Sequence, residues 1–223
     1  MEYCNKEFCL EVWGNMACFT RPELKVERVS YDVITPSAAR AVFEAIFWKP
    51  AIRWQVTRIE VMNPIRWTSV RRNEVGKVSN KPIIIEAERQ QRNALLLRDV
   101  RYRLWAKLVY IPVGMRKGET KNDAAHLDES PAKYFKIFER RASQGQCFTQ
   151  PYFGTREFSA YFKLVEASSI TDAPIQESRD LGIMLYDMDF DGNPEKPGSM
   201  FYRAKMENGI IIVPPIESKE VLR

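Results

Sequence analysis

Only one histidine, His126, stands in the 223 residues of this chain, and that narrows its chemistry before any fold is considered. A single imidazole argues against both a Ser-His-Asp site and a metal centre built on several histidines. Cys4, Cys9, Cys18 and Cys147 have none of the short paired spacings that hold zinc, and a reducing cytosol leaves them as free thiols. Asp187, Asp189, Asp191 and Gly192 imitate the opening of a calcium loop, but the twelfth position is Gly198 in place of glutamate, so the run reads as a hairpin turn. There is no Gly-rich phosphate loop and no dinucleotide fingerprint. Neither a metal nor an organic cofactor is expected. The groups left are lysine, arginine, tyrosine and the one histidine, which bind phosphate, stabilise developing negative charge and move protons.

The cations are unevenly spread. Residues 1–63 carry 8 basic and 8 acidic side chains, residues 64–121 carry 14 against 5, and residues 164–223 reverse the sign with 6 against 11. A basic centre beside an acidic tail suits a polyanion laid along the middle of the chain. Arginines guarding edge strands would give the same composition. Lys25, Arg28, Arg40, Lys49 and Arg53 gather around one short apolar helix, too many cations for a stretch that only packs. Glu2, Lys6, Glu7 and Glu11 rule out a secretory h-region, and no run of about 18 apolar residues occurs, so a soluble cytoplasmic protein without membrane contact is expected.

The elements that must position these groups can be read from periodicity. Thr35 is a suitable N-cap, Pro36 suits the first helical position, Pro50 closes the element, and Ala39, Val42, Phe43, Ile46 and Phe47 recur at helical spacing. Strands at Phe8–Gly14 and Ile52–Met62 flank this helix, the first half of a ferredoxin-like arrangement. Ile65–Val70 is a third strand carrying Arg66, and Arg71–Lys81, which includes Arg72, reads as a mobile basic loop. From Ala94 to Ile111, Val100, Tyr102, Leu104, Ala106 and Leu108 share one parity and Arg101, Arg103, Trp105 and Lys107 the other, which predicts a strand with one buried face. The second face either binds RNA by stacking and phosphate contact, or has Trp105 packed under a neighbour and its cations in solvent. Ser130-Pro131 opens a second helix reaching about Gln144, and a strand at Phe158–Val165 completes a βαββαβ count. Beyond Glu166 a Ser, Thr, Asp and Pro cluster leads to two hairpin strands and a short apolar one. The expected fold is therefore α+β, with a ferredoxin-like, RRM-like domain over 1–166 and a β-rich module over 167–223.

Five stretches carry a family resemblance: ERVSYDVITPSAARAVFEAIFWKPAIRW, PIRWTSVRRNEV, RQQRNALLLRDVRYRLWA, GQCFTQPYFGTREF and MENGIIIVPP. Together they resemble the Cas-five family of CRISPR-associated RAMP proteins, subtype I-C (Dvulg), over nearly the whole chain. The resemblance implies cleavage of CRISPR precursor RNA at the base of each repeat hairpin, followed by retention of the 5′ handle. It also implies a place in a Cascade complex beside the large subunit and the Cas-seven backbone, with target DNA met through that complex.

The family reaction is a metal-independent attack of a ribose 2′-hydroxyl on the adjacent phosphate, leaving a 2′,3′-cyclic phosphate. The resemblance assigns it to a Tyr in the first helix and a Lys-His pair opening the second. In this chain those positions hold Phe47, Lys133 and Tyr134, so lysine alone is kept. Two functions stay open: an endoribonuclease using Lys133 and Tyr134, and a non-catalytic or weakly catalytic subunit that binds the 5′ handle for assembly. For the first, the Lys133 cation at a helix N-terminus is expected to favour the Tyr134 phenolate, and His126 is the next candidate base. The expected RNA path is Lys25, Arg28, Arg40, Lys49, Arg53, Arg66, Arg71, Arg72, Arg101 and Arg103.

Overall fold

The computed structural model describes residues 5–116, 129–189 and 195–223. Eight strands run in chain order as β1 (Lys6–Ala17), β2 (Ile52–Val61), β3 (Arg66–Val75), β4 (Arg89–Tyr110), β5 (Tyr161–Val165), β6 (Arg179–Asp189), β7 (Gly198–Met206) and β8 (Ile210–Ile212). Three α-helices join them: α1 (Pro36–Ile46), the single turn α2 (Ile85–Glu88) and α3 (Pro131–Ser143). The fold is α+β and mostly antiparallel, with one sheet ordered β5-β1-β4-β2-β8, β3 paired to β4 outside that path, and β6-β7 apart as a two-stranded ribbon.

Both long helices begin as the sequence predicts. The Thr35 hydroxyl accepts from the Ala38 amide and the Ser130 hydroxyl from the Lys133 amide, each followed by a proline where no N–H is needed. α1 connects β1 to β2, which both run antiparallel to β4 and are therefore parallel to each other with β4 between them. α3 connects β4 to β5 in the same way around β1. The two helices share one face of the sheet. Phe138 of α3 lies 4.8 Å from Phe8 and 4.6 Å from Trp54, and Phe43 of α1 lies 4.8 Å from Trp54, centroid to centroid. Leu10, Leu104, Ala106 and Leu108 complete this core, so the parity read along 100–108 holds.

The predicted mobile loop at Arg71–Lys81 is corrected at its start. β3 continues to Val75, because Arg71–Val75 pair residue by residue with Asn93–Arg89. These residues lack apolar alternation since both faces of the paired segment are largely in water, which removes the signal periodicity relies on. At about 3.3 Å per residue, the 22 residues of β4 greatly exceed the strands beside them. β1 pairs only as far as Leu97, the backbone of Arg28 and Ser30 bonds Leu95, and beyond that β4 leaves the sheet with β3 as a two-stranded arm.

The C-terminal stretch is tied to the first sheet and its helices at several places. β8 adds to β2, Ile175 N–H bonds the Val61 carbonyl, and Arg40 of α1 grips Asp187 of β6 with two hydrogen bonds of 2.7 and 2.9 Å. Asn208 and Gly209, both at positive φ, make the turn into β8. A Cβ at Gly209 would fall 2.5 Å from the Ile175 carbonyl, so glycine is required there. Cys9 is buried, and loss of solvation pushes its thiol up to about 12, which makes it inert. Asp191, Gly192, Cys4 and His126 lie outside the described residues.

Candidate active site and nucleic-acid interface

Where α1 ends and α3 begins, the two altered family positions meet. Phe47 is the extended C-cap of α1, buried, with its carbonyl accepting from Trp54 Nε1 at 2.9 Å. Its ring lies 6.2 Å from that of Tyr134, and the Arg141 guanidinium sits 5.3 Å over its centre. Tyr134 stacks on Tyr110 at 6.0 Å and donates its hydroxyl to Glu129 Oε1 at 2.6 Å. Glu129 Oε2 in turn takes Arg116 at 2.5 Å. Lys133, next in sequence, is exposed on the first turn.

Two expectations about this helix end change. Tyr134 is not shifted toward phenolate: burial, the bond to Glu129 and the charge of Glu129 raise its proton affinity well above that of an ordinary phenol, and Arg116 opposes them only in part. The ring sits in the core between Tyr110 and Phe47 while the Lys133 side chain points to solvent, so the lysine charge does not govern it. The helix also has fewer free amides than an uncapped terminus, since Ser130 takes the Lys133 N–H and Pro131 has none.

The sheet face away from the helices is not an open cation face. Across four strands the register aligns Lys163, Glu11, Arg103 and Glu60, a row of alternating charge. Glu11 pairs with Arg101 Nε at 2.9 Å and Lys163 Nζ at 3.4 Å. Trp105, which sequence offered as a stacking residue, is buried: its indole N–H bonds Glu60 Oε1 at 2.9 Å and Arg58 lies 4.1 Å over its ring. Residues 167–175 cross this face. Arg103 donates to the Asp172 carbonyl and Arg101 to its carboxylate at 2.9 Å. Arg103 is only 3% exposed, and its other guanidinium nitrogen stands 3.1 Å from Glu60 Oε2, a charge contact that lacks hydrogen-bond alignment because that oxygen accepts no bond. Arg103→Ala is therefore expected to cost about 3–5 kcal/mol by leaving Glu60 buried and underpaired, read as a lower urea midpoint. Arg103→Met combined with Glu60→Gln is expected to recover most of it, and equal midpoints for wild type and Arg103→Ala would refute the coupling.

The remaining cations divide by partner. Arg28 pairs with Glu74, Arg40 with Asp187 and Glu44, Arg66 with Asp99, and Arg72 with Glu157. Lys25, Lys49 and Arg71 are exposed and have no carboxylate partner among the described residues, and Arg53 is exposed on β2. The sequence missed three more. Arg89 and Arg92 lie on the β4 side of the arm and Arg98 just below it, between Met16 of β1 and Arg66 of β3, all three also without a carboxylate partner among the described residues. The tract RQQRNALLLR held the signal, but its polar half read as an interruption rather than as strand.

Comparison with known proteins agrees with this architecture. A family model described as CRISPR-associated protein (Cas_Cas5), in its Cas5d form, matches residues 8–214. A protein of Mannheimia succiniciproducens named CRISPR pre-crRNA endoribonuclease Cas5d is 46% identical over 234 aligned positions, covering 96% of this chain and 97% of the relative. One of the same name from Thermus thermophilus is 41% identical over 231 positions, covering 96% and 94%. Among solved structures, a CRISPR-associated protein aligns with TM-score 0.71 at 24% identity, and a functionally uncharacterized Streptococcus mutans protein with 0.67 at 23%, each over 100% of both chains. These two likenesses speak for the fold alone. With the family model spanning nearly all of the chain and two relatives above 40% identity across it, the chain belongs to the Cas5 family of CRISPR-associated proteins.

Proposed function

We propose that this chain is a CRISPR pre-crRNA endoribonuclease that cuts at the base of the repeat hairpin and keeps the 5′ handle as a subunit of a type I-C Cascade complex in the cytoplasm. The observation that carries this is identity of 46% over nearly the full length of a protein named for that activity. A ferredoxin-like domain over 1–166 fits the two helix-linked, interleaved strand pairs, and 167–223 is the β-rich module that adds β8 to it. The large subunit and the Cas-seven backbone are the protein partners, and target DNA is met through them.

In this mechanism the scissile phosphate rests at the start of α3. The 2′-oxygen attacks phosphorus as its O–H bond breaks, the bond from phosphorus to the 5′-oxygen breaks, the departing 5′-oxygen takes a proton from water, and a 2′,3′-cyclic phosphate and a 5′-hydroxyl result. Lys133 neutralises charge on the phosphorane. Tyr134 takes the 2′-hydroxyl proton as its own passes to Glu129 along their 2.6 Å bond. Phe47, buried behind Tyr134, supports that ring and supplies no proton. Phosphates along the RNA meet Lys25, Lys49, Arg53, Arg98 and the arm cations Arg71, Arg89 and Arg92. No step calls for a metal.

The burial of Tyr134 favours a second reading, a handle-binding assembly subunit with weak or no cleavage. One experiment separates them. Purified protein incubated with its own repeat RNA in EDTA is expected to give a single cut with a 2′,3′-cyclic phosphate end. Tight binding with no cut, with or without added Mg²⁺, would leave the assembly role, and a cut only with Mg²⁺ would reject the metal-free route.

A further inference from the structure

The exposed aromatics of the sheet lie one row beyond the charged one. Trp13 of β1 and Tyr161 of β5 are directly paired across the strands, and Arg101 of β4 pairs with Trp13 on its other side. Their rings are 5.9 Å apart and inclined by only 22°, a near-parallel pair on the face away from the helices. Trp13 is 37% exposed and Tyr161 60% exposed, although burying such rings is strongly favourable. A cavity of about 390 Å³ borders Trp13, lined by Gly14, Asn15, Asn63, Arg101 and Lys163 among others. That is within the range of single small-ligand sites, roughly 300–1000 Å³.

We propose that Trp13 and Tyr161 form a stacking platform for one unpaired RNA base, whose edge meets Asn15 and Asn63 and whose phosphate meets Lys163. Aromatic faces accept any base, and side-chain amides carry both a donor and an acceptor for its edge. Asn63 spends its Nδ2 on the Asp99 carbonyl, at 2.8 Å, which fixes the side chain and leaves its oxygen as an acceptor. Asp99 has positive φ, and there the second neighbour of β4 changes from β2, which pairs as far as Tyr102, to β3, which begins opposite Arg98. The platform thus stands near the foot of the arm, a few residues from Arg98, with Arg92 on one face of the arm and Arg71 and Arg89 on the other. The lining itself is balanced, Glu11 and Asp99 against Arg101 and Lys163, and it is the neighbouring cations Arg98, Arg92, Arg89 and Arg71, which have no carboxylate partner among the described residues, that favour RNA over a protein partner with an apolar face. Arg101 is nine residues along β4 from Tyr110, which stacks on Tyr134. At about 3.3 Å per residue this is roughly 30 Å, so the stacked base lies several nucleotides from the scissile bond. The site rests on the RNA-binding function proposed above.

Binding of the repeat RNA by the full chain tests it. Trp13→Leu and Tyr161→Leu are each expected to weaken affinity by about tenfold, the scale of one lost base stack, while the single-turnover rate at saturating RNA stays unchanged. Trp13→Phe and Tyr161→Phe, which keep a ring, are expected to retain most of the affinity. Wild-type protein irradiated with RNA carrying 5-iodouridine at successive positions needs no variant to fold, and it is expected to crosslink the Trp13 or Tyr161 peptide at a nucleotide away from the cut. Leu variants that bind as wild type, or crosslinks that avoid both peptides, overturn the platform, and loss of association with another Cascade subunit at unchanged RNA affinity makes it a protein contact instead. Wild-type protein that binds no RNA rejects the RNA-binding function itself and the platform with it.

Discussion

Lys133→Ala is expected to abolish detectable cleavage of repeat RNA while changing affinity by only about threefold, one phosphate contact among many. Lys133 is exposed on the first turn of α3, with its backbone held in place by the Ser130 cap, so the substitution removes an ammonium and little else. Capping also engages one of the few amides a phosphorane could use there, which leaves the lysine as the main positive charge at that end of the helix. Losing a donor aimed at charge that develops in the transition state costs about 10² to 10³ in rate, enough to hide a slow single-turnover reaction. Lys133→Arg keeps the charge but spreads it over a planar fork, and partial activity is expected. Measuring the cleavage rate at saturating RNA together with the dissociation constant separates the two roles. An undiminished rate for Lys133→Ala would place phosphorane stabilisation elsewhere, and a parallel collapse of affinity would make Lys133 a binding residue.

How much of this was legible in the sequence depended on which physical signal each residue carried. Caps at Thr35 and Ser130, proline at the first helical position and the period-two run from Val100 to Leu108 are local rules, and the structure follows them. Arg103 and Trp105 had the parity of an outer face; Arg103 was placed on the RNA path, and Trp105 was left either to stack on RNA or to pack under a neighbour. Arg103 is covered because residues 167–175 cross that face, a contact between positions roughly seventy residues apart that periodicity cannot report, and Trp105 because Arg58 of the neighbouring strand lies over its ring. Arg71 to Val75 read as loop since an arm solvated on both sides shows no alternation. At the helix end, sequence placed Lys133 and Tyr134 side by side and inferred that they interact. Consecutive helix residues point about 100° apart, so one faces water and the other the core. Glu129, the true partner of Tyr134, lies just before the cap and carried no motif.

That partnership makes Tyr134→Phe the substitution with the most to say about mechanism. The change keeps the ring between Tyr110 and Phe47 and removes only the hydroxyl bonded to Glu129, so the packing and the melting temperature are expected to hold within a few degrees. If Tyr134 relays the 2′-hydroxyl proton, cleavage is expected to slow by about 10²-fold or more. The pH profile tells how. Tyr134 faces Glu129, Arg116 and Tyr110, and burial with Glu129 raises its proton affinity, so the phenol keeps its proton well beyond the ordinary value near 10. A base that had to be phenolate would drive the rate up about tenfold per pH unit between about pH 7 and 9. A neutral relay contributes no such slope, and the wild-type rate is expected to be flat there as far as Tyr134 decides it. Glu129→Gln, which removes the terminal acceptor but keeps the shape, is expected to slow cleavage as much as Tyr134→Phe, and the double variant little more, because the two act as one path. A steep alkaline rise would return the phenolate to the mechanism. An unchanged rate for Tyr134→Phe would remove Tyr134 from the chemistry altogether, and His126 is then the residue to replace.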